Sequence, residues 1–90
     1  MPKFVIERTV PGAGQMSADQ LREAARGSND VIAAMSPRVS WQQSYVTDDK
    51  IFCVYVADNE ESVREHARRA GVPCDVMHRV SAVIDPATGE

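Results

Sequence analysis

The sequence predicts an α+β domain of four strands and two helices in the order β-α-β-β-α-β. Three observations carry this. Two β-rich runs, Val39 to Val46 and Ile51 to Val56, flank a Thr47-Asp48-Asp49-Lys50 connection too short for anything but an antiparallel return, so they form a hairpin. Apolar residues recur at helical spacing on either side of that hairpin, and an alternating run stands near each end of the chain.

Taken in order, Lys3 to Thr9 is a strand with Phe4, Ile6 and Arg8 on one face and Val5, Glu7 and Thr9 on the other, ended by Pro11-Gly12-Ala13-Gly14. Ser17 followed by Gln20 has the form of a capping box, with Met16 placed as a hydrophobic staple. Leu21, Ala25, Ser28, Ile32 and Met35 then make the buried stripe of a helix from about Ala18 to about Ala34, closed by Pro37. Gly27-Ser28-Asn29-Asp30 is poor helix material, and a kink or fray is expected there. In the hairpin, Val39, Trp41, Gln43 and Tyr45 alternate against Ser40, Gln42, Ser44 and Val46, while the second strand is apolar on both sides. Asp58 can cap the second helix, whose stripe is Val63, Ala67 and Ala70, with Gly71 as its left-handed end and Pro73 beyond. Met77 to Asp85 alternates again and reads as the last strand, followed by a tail from Pro86.

This order is the split βαβ arrangement of ferredoxin-like domains, one domain over residues 1–90. Right-handed crossovers put the first and third strands in the centre of a four-stranded antiparallel sheet, order 4-1-3-2, with both helices on one face. A third strand apolar on both sides suits that central place. The face without helices then needs a cover, and in so short a chain the obvious cover is a second copy.

The composition, 43% hydrophobic and 26% charged, is that of a single globular core, too small for a second one. A net charge of −3 argues against nucleic acid or an anionic membrane as partner, because both reward clustered cations. The one basic group, Arg64, Arg68 and Arg69, is interleaved with Glu60, Glu61 and Glu65 and reads as a solvated helix face. The opening Met-Pro-Lys-Phe-Val-Ile lacks the apolar length of a secretory signal, and no window approaches a membrane span. With Cys53 and Cys74 expected as reduced thiols, the location expected is the cytoplasm.

The segments Gln43-Ser-Tyr-Val-Thr-Asp-Asp-Lys-Ile-Phe-Cys-Val-Tyr and Arg64-Glu-His-Ala-Arg-Arg-Ala-Gly-Val-Pro, with Lys3-Phe-Val-Ile-Glu-Arg and Val83-Ile-Asp-Pro, resemble a family of small ferredoxin-like bacterial proteins labelled nickel-binding, otherwise a domain of unknown function. What the resemblance implies is a homodimer whose sheets face each other, as in dimeric α/β barrels, with nickel as ligand. The chain departs from the family at His78, where an apolar residue is usual.

Among candidate site residues His66 stands first, within the family-like Arg-Glu-His-Ala and at the edge of the stripe of the second helix. It is either a nickel ligand or a half-buried imidazole bonded to a carbonyl, Glu65 or Asp75. Glu7, Cys53 and His78 are the further metal candidates, with Tyr45, Glu65 or groups of a dimer mate able to complete a shell. Trp41, Tyr45, Tyr55, Glu7 and Arg79 are expected to converge on the sheet face away from the helices, as a dimer interface or a ligand pocket. Phosphate loops, nucleophile elbows and metalloprotease histidine pairs are missing, so no catalytic residue is singled out. The alternative to a metal protein is a small-molecule binder or cofactor-independent enzyme of the dimeric α/β-barrel class, using a pocket between helix and sheet.

Overall fold

The computed structural model describes all of residues 1–90 and has the expected element order. Strands β1 (Lys3–Thr9), β2 (Val39–Val46), β3 (Lys50–Ala57) and β4 (Val76–Arg79) form one sheet in the order β2-β3-β1-β4, every pairing antiparallel. Helices α1 (Ala18–Met35) and α2 (Glu60–Ala70) pack on one face. The core between the layers is Phe4, Ile6, Cys53, Tyr55, Val39 and Ala57 from the sheet, with Met35 and Val63 from the helices.

Local signals place most boundaries. Ser17 accepts a hydrogen bond from the Gln20 amide while Gln20 answers the Ser17 amide, closing the capping box that starts α1. The helix runs unbroken through Gly27-Ser28-Asn29-Asp30, so the chain does not fray there; the Ser28 hydroxyl meeting His66 of α2 helps hold a segment that propensity alone would not. Its apolar stripe is only half used, since Met35 is buried but Leu21 remains 37% exposed. At α2 the cap is Asn59, which accepts from the Ser62 amide, and Asp58 instead accepts from the Ser62 hydroxyl. Gly71 ends the helix at φ 68°, the left-handed conformation that glycine adopts without steric cost.

Two expectations need correction. The final strand is Val76–Arg79, not Met77 to Asp85: its register with β1 ends at Phe4 opposite Arg79, and one last hydrogen bond from the Val80 amide to the Lys3 carbonyl closes the pairing. Val83 and Ile84 beyond it are 70% and 78% exposed. The second concerns the sheet faces. A β-bulge between Trp41 and Gln43 puts Trp41 opposite Tyr55 but Tyr45 opposite Phe52. Residues directly opposite share a face, so Trp41, Tyr55 and Cys53 lie with Phe4 and Ile6 under the helices. Tyr45 and Glu7 lie on the open face, and Arg79 sits in the Phe4 row at the helix-covered edge.

Candidate functional site

The open face is a grid read from the register. Tyr45, Phe52, Glu7 and Val76 form one row, and Gln43, Val54, Val5 and His78 form the next. Adjacent rows bring Glu7 and His78 together diagonally, with Nε2 of His78 3.8 Å from a Glu7 oxygen. The other Glu7 oxygen accepts from Nζ of Lys50 at 2.8 Å. Hydrogen bonding from Lys50, reinforced by its charge, holds the Glu7 carboxyl below the usual carboxylate range. An anionic carboxylate beside an imidazole is a donor pair for a borderline divalent metal. Around this pair Val5, Val54, Val56 and Phe52 are half-buried and Tyr45 is 56% exposed, while Gln43, Ser40 and Lys3 are the polar members of the face.

Beneath the helices lies a cavity of about 460 Å³ between α1, the C-terminal end of α2 and the sheet. Trp41, Ile51, Ala24, Ala25 and Val72 supply much of its apolar wall, and its polar side chains include Arg8, Glu23, Ser28, Ser44, Tyr55 and His66. His66 is 1% exposed, and its Nε2 meets Ser28 Oγ at 3.1 Å. Its Nδ1 has no hydrogen-bond partner. Burial first, and the nearby Arg8 charge second, push its pKa below the ordinary histidine value, so the ring is neutral at neutral pH. Tyr55 packs against that ring, centroids 5.0 Å apart, and burial pushes its phenol up to about 12, keeping it a hydroxyl.

Arg8 is the residue that pattern reading passed over. It is 3% exposed and sits one alternation beyond Phe4 and Ile6, so a charged letter in phase with an apolar strand face was the available signal. Its Nε donates to Cys53 Sγ at 3.4 Å, one Nη to the Pro73 carbonyl and the other to the Tyr55 hydroxyl at 3.1 Å.

The four residues expected as metal ligands thus separate. Glu7 and His78 meet on the open face, whereas His66 and Cys53 line the cavity on the opposite side of the sheet. Nowhere in the chain do three His, Cys, Asp or Glu side chains gather in an arrangement able to hold a metal ion. A cation near His66 would also face the Arg8 guanidinium, whose field already disfavours a proton there. Of the residues expected to bind an organic cofactor, Trp41 and Tyr55 line the cavity and Tyr45 does not.

The topology and layering define a ferredoxin-like α+β domain. A family model described as nickel responsive protein SCO4226-like matches residues 4–80, and the chain belongs to that family. The crystal structure of SCO4226 from Streptomyces coelicolor A3(2) is similar with a TM-score of 0.77 at 22% identity, over 91% of this chain and 99% of that one. At that identity the likeness establishes the fold alone. No curated protein matches the chain. No helix is long and apolar enough to cross a membrane, and both cysteines are free thiols.

Proposed function

We propose that this chain is a small nickel-binding protein acting as a homodimer, with the metal held on the open sheet face by Glu7 and His78. The juxtaposition of that imidazole and that carboxylate, 3.8 Å apart, carries the reading. One chain offers two donors, and a two-fold axis through the facing sheets brings a second pair. Two imidazoles and two carboxylates, with water, suit a tetragonal or octahedral Ni(II) shell. Such sharing accounts for the lack of a three-ligand cluster within one chain. Two features support the dimer: the open face carries Val5, Phe52, Val54 and Val56 with no helix over them, and the exposed Val83 and Ile84 have strand-forming side chains with no strand beside them. His78 stands where the family resemblance implies an apolar residue, so this half-site is a property of this chain. A metal there competes with the Lys50 ammonium for the charge of the Glu7 carboxylate.

The test is calorimetric titration of nickel into tag-free protein, since a polyhistidine tag would bind the metal itself. The expected result is one nickel per two chains, weakened at least about tenfold by His78→Ala and by Glu7→Gln. Nickel binding that survives both changes in folded protein places the metal elsewhere, and an absence of binding removes the reading.

A further inference from the structure

The cavity contains an electrostatic imbalance unrelated to the open face. Arg8 is buried at 3% exposure, and its partners are a thiol, a phenol and a carbonyl; no carboxylate pairs with it. A guanidinium carries five N–H donors, of which these three contacts use three, leaving two free. A buried charge without a counter-charge is costly, and proteins ordinarily pair it. Here the unpaired cation borders an otherwise largely apolar space of about 460 Å³, a volume within the range of small-molecule sites. The one acidic residue along the cavity, Glu23, is exposed on α1 and pairs loosely with Arg26 at 3.9 Å, so it does not neutralise Arg8.

We propose that this cavity binds a small organic carboxylate with an apolar, ring-sized body, the carboxylate on Arg8 and the body between α1 and the sheet. The free N–H groups of a guanidinium match a carboxylate in a two-point contact that a point charge does not reproduce. Tyr55 and Ser28 supply further hydroxyls at the polar end, and the Tyr55 phenol remains a donor because its proton is held to about 12. Trp41, Ile51, Ala25 and Val72 face the body, with Trp41 offering an aromatic surface to stack on. Leu21, 37% exposed at the cavity, gains cover when the space is filled. The neutral His66 ring adds no second cation, so a single negative charge balances the site.

The experiment uses metal-free, tag-free full chain labelled with ¹⁵N and titrated with 2-naphthoate and, separately, with 2-naphthylmethanol. The two probes share a ring and differ in charge. The expected outcome is saturable shifts of the amides of Ala25, Ser28, Cys53 and Tyr55 with naphthoate, and at least about tenfold weaker binding of the alcohol. Arg8→Met should abolish the preference for the acid. If that variant does not fold, Ala25→Phe, which fills the cavity from the α1 side without touching Arg8, should block both probes. Equal affinity for the two probes, no saturable shift, or shifts confined to the open-face residues Val5, Val54 and His78 would overturn the proposal. Metal is absent throughout, so failure here is separate from failure of the nickel reading.

Discussion

Trp41 and Tyr45, four residues apart in one strand, look out of opposite faces of the sheet: Trp41 stands opposite Tyr55 under the helices and Tyr45 opposite Phe52 in the open. The bulge between Trp41 and Gln43 inserts one residue and reverses the alternation beyond it. Each aromatic side chain therefore reports on a different event. Trp41 fluorescence should respond to cavity ligands, and association of the open faces should change Tyr45 accessibility while leaving Trp41 largely unaffected.

Association through the open face gives the first prediction. Sedimentation equilibrium of the parent chain should yield twice the 9.9 kDa protomer mass. Val54→Lys puts a charge in the middle of the open-face grid and should shift the equilibrium toward protomers by at least about a factor of ten, the cost of desolvating one unpaired ammonium. Ile84→Asp should act in the same direction if the C-terminal segment crosses to the partner. A parent chain that sediments as a 9.9 kDa species at micromolar concentration excludes the dimer.

Lys50 supplies a sharper test of the metal site than ligand removal does. Its ammonium lies 2.8 Å from a Glu7 oxygen and competes with any cation for that carboxylate. Lys50→Met should therefore tighten nickel binding, whereas removal of an uninvolved surface charge would change little. The pH profile adds a direction: the lowered Glu7 pKa keeps the carboxylate ionised into mild acid, so nickel binding should not be lost there through protonation of Glu7. Unchanged affinity in Lys50→Met would point away from Glu7.

His66 should make stability fall in mild acid. Its pKa is lowered in the folded chain, so the unfolded chain takes up a proton at about 6.5 while the folded one resists it. The stabilising difference is complete above that value and is lost as pH drops toward the folded value. Urea midpoints measured at about pH 7.5 and about pH 5.5 should differ more for the parent than for a folded His66→Gln variant. Equal slopes in the two proteins would show that the imidazole titrates the same way folded and unfolded.

Gly14 locks the loop before α1 onto the hairpin turn. Its amide donates to the Asp48 carbonyl at 2.9 Å, and a Cβ there would sit 2.9 Å from Asp48 Cα and 3.3 Å from the Thr47 carbonyl oxygen. Gly14→Ala should destabilise the fold by roughly 1–3 kcal/mol, the range for forcing backbone apart in a packed region. Gly27→Ala, with open space around its Cβ and a helical backbone, should instead stabilise by about 0.5–1 kcal/mol, so thermal melts of the pair should move in opposite directions.

The elements of this chain are legible because their signals are local. The Ser17–Gln20 capping box, Gly71 after the α2 stripe, and the short Thr47–Lys50 return each act over a few residues, and from them the β-α-β-β-α-β order and central β3 follow. Pairing with β1 decided where β4 stops: the alternation continues to Asp85, but hydrogen-bonded partners do not. Tertiary structure also decided which side of each strand meets the helices. β3 is apolar on both sides, so Ile51-Cys53-Tyr55 and Phe52-Val54-Val56 are equivalent as letters, and the bulge at Trp41 leaves no composition signal. Those two facts separate Glu7 and His78 from His66 and Cys53, because a side chain's neighbours across a sheet depend on register and layer packing, which span residues far apart in sequence.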